Sequence, residues 1–455
     1  MLSTCFVKAC KMRYRGNFLY HLVLNRILSN YKKFNVYIYF SKKTKYMNQI
    51  NVNSSLFKTI GFMDYDNVFY NELGNNDFFQ KTIDKETLKF LENSYHSEYA
   101  KIMFSNDNSG VKIFSKKLDY KISITKRGNN VLVKSIEVFF FNNTFENTKT
   151  AIYAISYEPV TNSLEEISNI SNDLKNHDCE ILFESKTMLL EYFISENLFF
   201  GKKPSIGNSS LEQYAGSRFK NYLVVDFENE KLDRDHLLYE LGTSSKIGTI
   251  SENTIEAPSN SYINKVLENK ISCFNNYECL TLLNSFTVVG TKNYDINHVH
   301  THSTWNDIYF SIYIFNLYVK CSLQILLNDF TSDAMSKRRE FQEFYNKYYF
   351  KKISYNFLPN EIFKRISDSL EIEEDLEFIQ NRLETLATQV NEKQQKQQEF
   401  LLFCISVIAL LETPLHIEGI REIIGIENLS IYNSLVYPIL ILTLAITFIF
   451  KFRKK

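Results

Sequence analysis

Breakers are scarce in this chain, with 13 glycines and 6 prolines among 455 residues. Neither occurs in residues 360–413, a stretch bracketed by Pro359 and Pro414. Cysteine is sparse too: the seven are scattered at 5, 10, 179, 273, 279, 321 and 404, with no CxxC pair. An odd, dispersed set argues against a disulfide framework and for a reducing compartment. Acidic residues are missing from positions 1–50, although Lys+Arg and Asp+Glu balance at 52 each overall. Net charge therefore names no partner, and the bias is local. No nucleophile elbow, HExxH pair, paired-carboxylate motif or dinucleotide fingerprint is present, so the sequence gives no reason to expect an enzyme.

The stretch without breakers is the most informative part. As one helix capped by Asn360 it would run roughly 80 Å, at about 1.5 Å per residue. Ile372, Leu376, Ile379, Leu383, Leu386 and Val390 alternate spacings of four and three, which is a coiled-coil seam. The same register reaches Lys393, Gln397, Phe400, Cys404, Val407 and Leu411, and the last four lie in the apolar run 400–411. One helix would then carry one seam from water into lipid. A cytosolic coiled coil with a separate anchor is the plainer alternative.

Residues 1–46 are basic and aromatic, without the apolar core and small-residue cleavage site of a secretory signal. They read as a membrane-surface arm, a nucleic-acid arm or an extension upstream of Met47. From 47 to 300 the pattern is that of an α+β domain. Segments 120–125, 131–141 and 151–157 have strand character, with a hairpin turn at Arg127-Gly128-Asn129-Asn130. Leu164, Ile167, Ile170 and Leu174 step at helical spacing. Further strands are expected at 179–184 and 222–227, and helices at 186–199, 233–241 (capped by Asp233 and stopped by Gly242) and 262–271. Residues 305–330 are strongly apolar, but Asn306, Asp307, Asn316, Lys320 and Gln324 interrupt them too often for a lipid-facing span. A helix packed inside the protein fits better, at the head of a helical stalk over 301–398.

The module 399–455 reads as two membrane spans. The apolar run 433–450 is long enough to cross and ends in Lys451, Arg453, Lys454 and Lys455. The shorter run 400–411 is extended below by polar 394–398. Between the runs Glu412, Glu418, Glu422 and Glu427 face one Arg421, in what reads as an acidic outer loop that would attract cations. With basic flanks and an acidic loop, the positive-inside rule puts both termini in the cytoplasm.

This order of parts, over roughly 305–455, resembles the CorA-type metal ion transporters: a cytosolic domain, a very long helix entering the first span, a short outer loop, a second span and a basic tail. Where that family carries Gly-Met-Asn, this chain reads Glu412-Thr413-Pro414-Leu415-His416. It is more similar to divergent CorA-like proteins lacking the motif, found beside type III CRISPR and other antiviral loci. The aromatic helix from Trp305 to Tyr318 and the preceding Ser285-Phe-Thr-Val-Val-Gly290 share their texture. The resemblance implies a homo-oligomer (a pentamer) in the bacterial inner membrane, switched by a nucleotide-derived second messenger. A divalent cation is a permeant ion by the same likeness, and direct nucleic-acid binding is not expected.

Three constellations remain. Loop 201–210, Gly-Lys-Lys-Pro-Ser-Ile-Gly-Asn-Ser-Ser, suits an anion through its glycines and through Lys202 and Lys203, with Arg218 and Arg234 not far along the chain. It is not a P-loop, and ordinary surface loops are the competing account. His298, His300 and His302 alternate, so on a strand they would share a face and could ligate a metal; a solvated connector is the simpler reading. Asp226, Asp233, Asp235 and His236 are explained by helix capping. The whole points to a channel or effector gated by a small anionic ligand. The alternatives are a CorA-like divalent-cation transporter of altered selectivity and a non-conducting, membrane-anchored interaction protein.

Overall fold

The computed structural model describes residues 52–424, apart from 108–109, 142–148, 205, 207–208, 228–232, 251–256, 292–303 and 329–333. The basic arm 1–46, the His298–His300–His302 triplet, Glu427 and the apolar run 433–450 lie outside the described residues. The chain divides into two compact units, Met1–Glu377 and Phe378–Lys455.

The first unit opens with β1 (Val52–Asp64), α1 (Asn67–Asn75), β2 (Phe79–Gln80), α2 (Lys85–Ser94) and α3 (Ser97–Met103). The meander β3 (Lys112–Ile124), β4 (Asn129–Phe140) and β5 (Thr150–Pro159) follows, then α4 (Leu164–Leu174). Next come the hairpin β6 (Glu180–Phe183) and β7 (Lys186–Leu189), α5 (Leu190–Phe193) with a π-helical turn Ile194–Leu198, and α6 (Ser209–Ala215). β8 (Lys220–Phe227), α7 (Arg234–Gly242), α8 (Asn260–Leu267), β9 (Lys270–Phe274), β10 (Tyr277–Leu282) and β11 (Ser285–Thr291) complete the sheet region. A π-helical turn, Thr304–Tyr309, leads into α9 (Phe310–Asn328), followed by α10 (Ala334–Tyr348), α11 (Phe357–Ser369) and α12 (Ile372–Ile424).

The strands form one sheet in the order β7-β6-β3-β4-β5-β1-β8-β11-β10-β9, with β2 beside β3. Every pair is antiparallel except β8–β11. The α+β expectation holds, and so does the meander: Gly128 takes the left-handed backbone (φ 72°) that its turn requires. Alternation along the strands feeds two cores. Val131, Val133, Ile155, Leu223 and Val225 pack with Leu164, Ile167, Ile170 and Leu174 of α4 and with Leu237, Leu238 and Leu241 of α7. From the opposite face Tyr222 meets Phe310 and Tyr313 of α9, and its hydroxyl donates to the Trp305 carbonyl at 2.6 Å.

Thr304–Leu327 is, among the described residues, the one helix long and apolar enough to cross a membrane, and 89% of its apolar span is buried inside the chain. Its polar interruptions are used internally. The Lys320 ammonium, with a 5% exposed side chain, pairs with Asp375 at 2.8 Å; Gln324 donates to the same carboxylate at 2.9 Å, and Asn316 donates to the Ile312 carbonyl.

Four local expectations change. The helix expected at 186–199 begins as strand β7 and becomes helical only at Leu190, because β6 and β7 pair as a hairpin through Glu184 and Ser185, both at positive φ. The segment 262–271 is helical only to Leu267, and Lys270 already belongs to β9. The long helix does not open at Asn360. α11 starts at Phe357 with Pro359 in its first turn, where a missing N–H costs nothing. The Asn360 side chain instead holds the preceding loop, accepting from the Ile353 and Ser354 amides. α11 ends in a left-handed residue, Glu371 (φ 55°), and α12 begins afresh with Glu373, Glu374 and Asp375 on its positive end. Finally, α12 runs through Pro414 to Ile424, so Glu412, Glu418 and Glu422 lie on helix and not in a loop; a proline removes one backbone hydrogen bond, and the helix continues past it.

Ile372, Leu376, Ile379 and Leu383 of the seam are buried within the single chain (0–4% exposed). Leu386 and Val390 are half-buried, and residues 391–398 are exposed throughout.

Charges are buried between the sheet and α9. Lys58 on β1, 2% exposed, pairs with Glu137 on β4 at 3.2 Å, and its ammonium lies 3.9 Å from the Phe310 ring centroid. Lys81 bridges Glu137 (3.3 Å) to Asp307 (3.1 Å) in the π-helical turn. Burial pushes the Glu137 carboxyl up, but Lys58 and Lys81 outweigh it and hold it below the usual range. Breaking a buried pair from one side strands the other charge. Lys58→Met should therefore cost roughly 3 kcal/mol by thermal denaturation, and adding Glu137→Leu should restore most of it. Since Glu137 titrates lower folded than unfolded, its contribution is present above the ordinary glutamate range and disappears as pH falls through the lower folded value.

A second buried lysine has only neutral partners. Lys220 donates to the Tyr214 carbonyl (3.0 Å) and to Asn284 Oδ1 (2.5 Å), and burial lowers its pKa to about 8. The unfolded chain keeps that proton to higher pH. Stability should therefore rise with pH from about 8 toward the usual lysine value, and Lys220→Met should flatten that segment of the melting-temperature profile.

Candidate functional site

A cavity of about 440 Å³ opens beside the C-terminal part of β1, within the range of small-molecule sites. Its apolar lining comes from Phe62, Tyr153, Ile194 and Phe219. Gly61 permits the arrangement: a Cβ there would run into the Tyr153 ring. Ile194 begins the π-helical turn after α5, and Ala215 closes α6.

The charged groups come from separate elements. Lys203 follows the π-helical turn and pairs with Glu191 of α5 at 3.0 Å. Glu212 is on α6, and Arg218 lies just before β8. His177 follows α4 and sits 4.1 Å, centroid to centroid, from Phe219. Backbone bonds fix the two segments side by side: the His177 amide donates to the Ser217 carbonyl and the Phe219 amide to the Lys175 carbonyl. Burial lowers the His177 pKa, as does Lys203, while Glu191 and Asp178 act the other way. Arg218 makes no ion pair with the described residues, and its side chain is exposed.

Two of the four cations expected to hold an anion thus meet here, Lys203 and Arg218. Lys202 turns away, pairing with Glu72 at 2.6 Å. Arg234 is at the start of α7, where it donates to the Asn275 carbonyl. His177, Glu191 and Glu212 were not marked by any motif; only the pairing of the chain at 176–177 with 217–218 brings them in. Asp233 caps α7 by accepting from the His236 amide (3.4 Å) and pairs with the His236 ring, while Asp235 pairs with Lys270.

Along α12, Lys393 and Gln397 are exposed, Cys404 is half-buried, and Phe400 (46%), Leu401 (59%), Leu402 (63%) and Ile405 (61%) form an exposed apolar collar. Val407 and Leu411 lie on the same helix. Among the described residues no cluster of His, Cys, Asp and Glu could hold a metal ion. The thiols of Cys179, Cys273, Cys279 and Cys321 are all pushed up by burial, away from nucleophilic character. Comparison with known protein families, curated proteins and solved structures finds no match to this chain.

The cavity lining combines two cations and two carboxylates with the rings of Phe62, Tyr153 and Phe219, and Arg218, with no ion-pair partner among the described residues, is the group that suits an anion attached to a flat or apolar body. Arg218→Gln should weaken binding of sulfate, as a simple anion probe, by about tenfold, or ~1.4 kcal/mol. Gly61→Ala should push the Tyr153 ring into the cavity and abolish binding by calorimetry.

Proposed function

We propose that this chain is the subunit of an oligomeric membrane channel or effector, CorA-like in layout, whose cytosolic domain binds a small anionic ligand. The observation that carries this reading is α12: one helix starts among buried residues at Ile372 and Leu376 and continues to the exposed apolar collar at Phe400–Ile405. An exposed apolar band on a long helix needs lipid or other subunits around it. The run 433–450 would supply the second span, with both termini on the cytoplasmic side of a bacterial inner membrane. The cavity with Lys203 and Arg218 is the ligand site in this reading, and a nucleotide-derived messenger has the anion and flat ring that it suits. Phe400, Val407 and Leu411 would form an apolar constriction that closes by dewetting, with Lys393 and Gln397 below it. Glu412, Glu418, Glu422 and Glu427 would concentrate cations, divalent ones included, at the outer mouth. An antiviral role rests on the resemblance alone.

One observation favours a second reading, the non-conducting anchor. Ile372, Leu376, Ile379 and Leu383 are already buried inside one chain, which leaves only the upper seam for a neighbour.

The two readings part at Leu411. In a gated pore Leu411→Ser wets the constriction and leaks ions without ligand, so expression alone arrests growth and reconstituted vesicles lose a trapped dye. Leu410→Ser, off the seam, stays near wild type. Equal behaviour of the two variants, with normal assembly, would leave the anchor as the surviving account.

A further inference from the structure

The cavity lining is electrically balanced. Lys203 and Arg218 line the cavity together with Glu191 and Glu212, two charges of each sign, and His177 lines it as well. A balanced, partly apolar cavity has little surplus potential for an anion, so an arriving charge must be met by a change in the lining. Glu191 already occupies Lys203 at 3.0 Å, leaving Arg218 as the cation with no ion-pair partner among the described residues. The group best able to change is the imidazole. It is half-buried, lies 4.1 Å from the Phe219 ring, centroid to centroid, in a tilted contact, and lines the same cavity as both cations.

We propose that anion capture in this cavity is coupled to the uptake of one proton by His177. This rests on the reading of the cavity as a ligand site. The groups around the ring set the direction. Lys203 opposes the imidazolium, while Glu191 of α5 and the neighbouring Asp178 favour it; Arg218 and Glu212 of α6 line the same cavity, Lys175 stands at the end of α4, and the Tyr153 phenol stays neutral. In the empty cavity burial, and after it Lys203, favours the neutral ring. A bound anion draws the two cations toward itself and places negative charge beside the ring, which raises the proton affinity of His177. The proton comes from solvent and forms an N–H bond on the free ring nitrogen; no other bond changes. By linkage the affinity must then rise as pH falls through the window between the empty and the occupied His177 values, and become flat above and below it.

Titration calorimetry of the full chain with sulfate, whose charge does not vary between pH 5.5 and 8, tests this in two buffers of different ionisation enthalpy. The expected result is uptake approaching one proton and an affinity gain approaching tenfold per pH unit within the window, both lost in His177→Gln. Sulfate binding that depends on Arg218 but is pH-independent and takes up no proton would overturn the coupling and leave the site standing. Uptake that persists in His177→Gln would move the proton to Glu191 or Glu212 and overturn the assignment. Absence of sulfate binding, or binding indifferent to Arg218→Gln, would overturn the cavity reading itself and the coupling with it.

Discussion

Lys58 carries a full charge to the middle of a sheet where almost no water reaches it. That position is tolerable only because Glu137 lies across β5 and the face of Phe310 lies over the ammonium. Both supports demand a particular arrangement: β1 in register with β5 and β4, and the first turn of α9 directly above them. Lys81 and Asp307 extend the same chain of charges to the surface, so the start of α9 is tied to the sheet by electrostatics as well as by aromatic packing. An apolar substitute would pack α9 here with less regard to register. In the observed alignment each of these charges has a partner.

The same charges explain what sequence reading missed. The meander, α4, β8 and α7 were legible because their apolar periods and turn residues follow ordinary rules. β1, the central strand between β5 and β8, was not named, because Ser54, Ser55, Lys58 and Thr59 make it look solvated. Burial of Lys58 and Thr59 is a tertiary fact that no local pattern carries. β10 was missed for a similar reason, since Glu278 and Thr281 interrupt it and are nonetheless buried. The polar interruptions of α9 were read correctly as marks of internal packing; their partners, such as Asp375 for Lys320, lie too far along the chain for spacing to find.

Two of the four cations expected in an anion site, Lys203 and Arg218, line one cavity. Lys203 and Arg218 converge because loop 201–204 and the segment before β8 border one opening, whereas Lys202 and Arg234 are drawn off by Glu72 and the Asn275 carbonyl. Which of two adjacent lysines faces a cavity depends on the backbone at Phe200 and Gly201, both left-handed, and composition is blind to that. His177 was invisible for a different reason. A lone histidine in a polar stretch has no motif, and only its pairing beside Ser217 makes it part of a wall.

The break at Glu371 has a consequence for how such a chain can change over generations. Each residue added to a continuous helix turns everything beyond it by about 100°. Had residues 360–413 formed one rod, any insertion near its start would have spun the collar at Phe400 to a new face. The left-handed joint at Glu371 isolates α12 from that arithmetic. Length can vary in α11 and in the loop before it while the stripe from Ile372 to Leu383 keeps its aim. Beyond the joint the tolerance ends, and insertions there are acceptable only in steps that restore the heptad. Relatives of this chain should therefore differ in length before Glu371 more freely than after it.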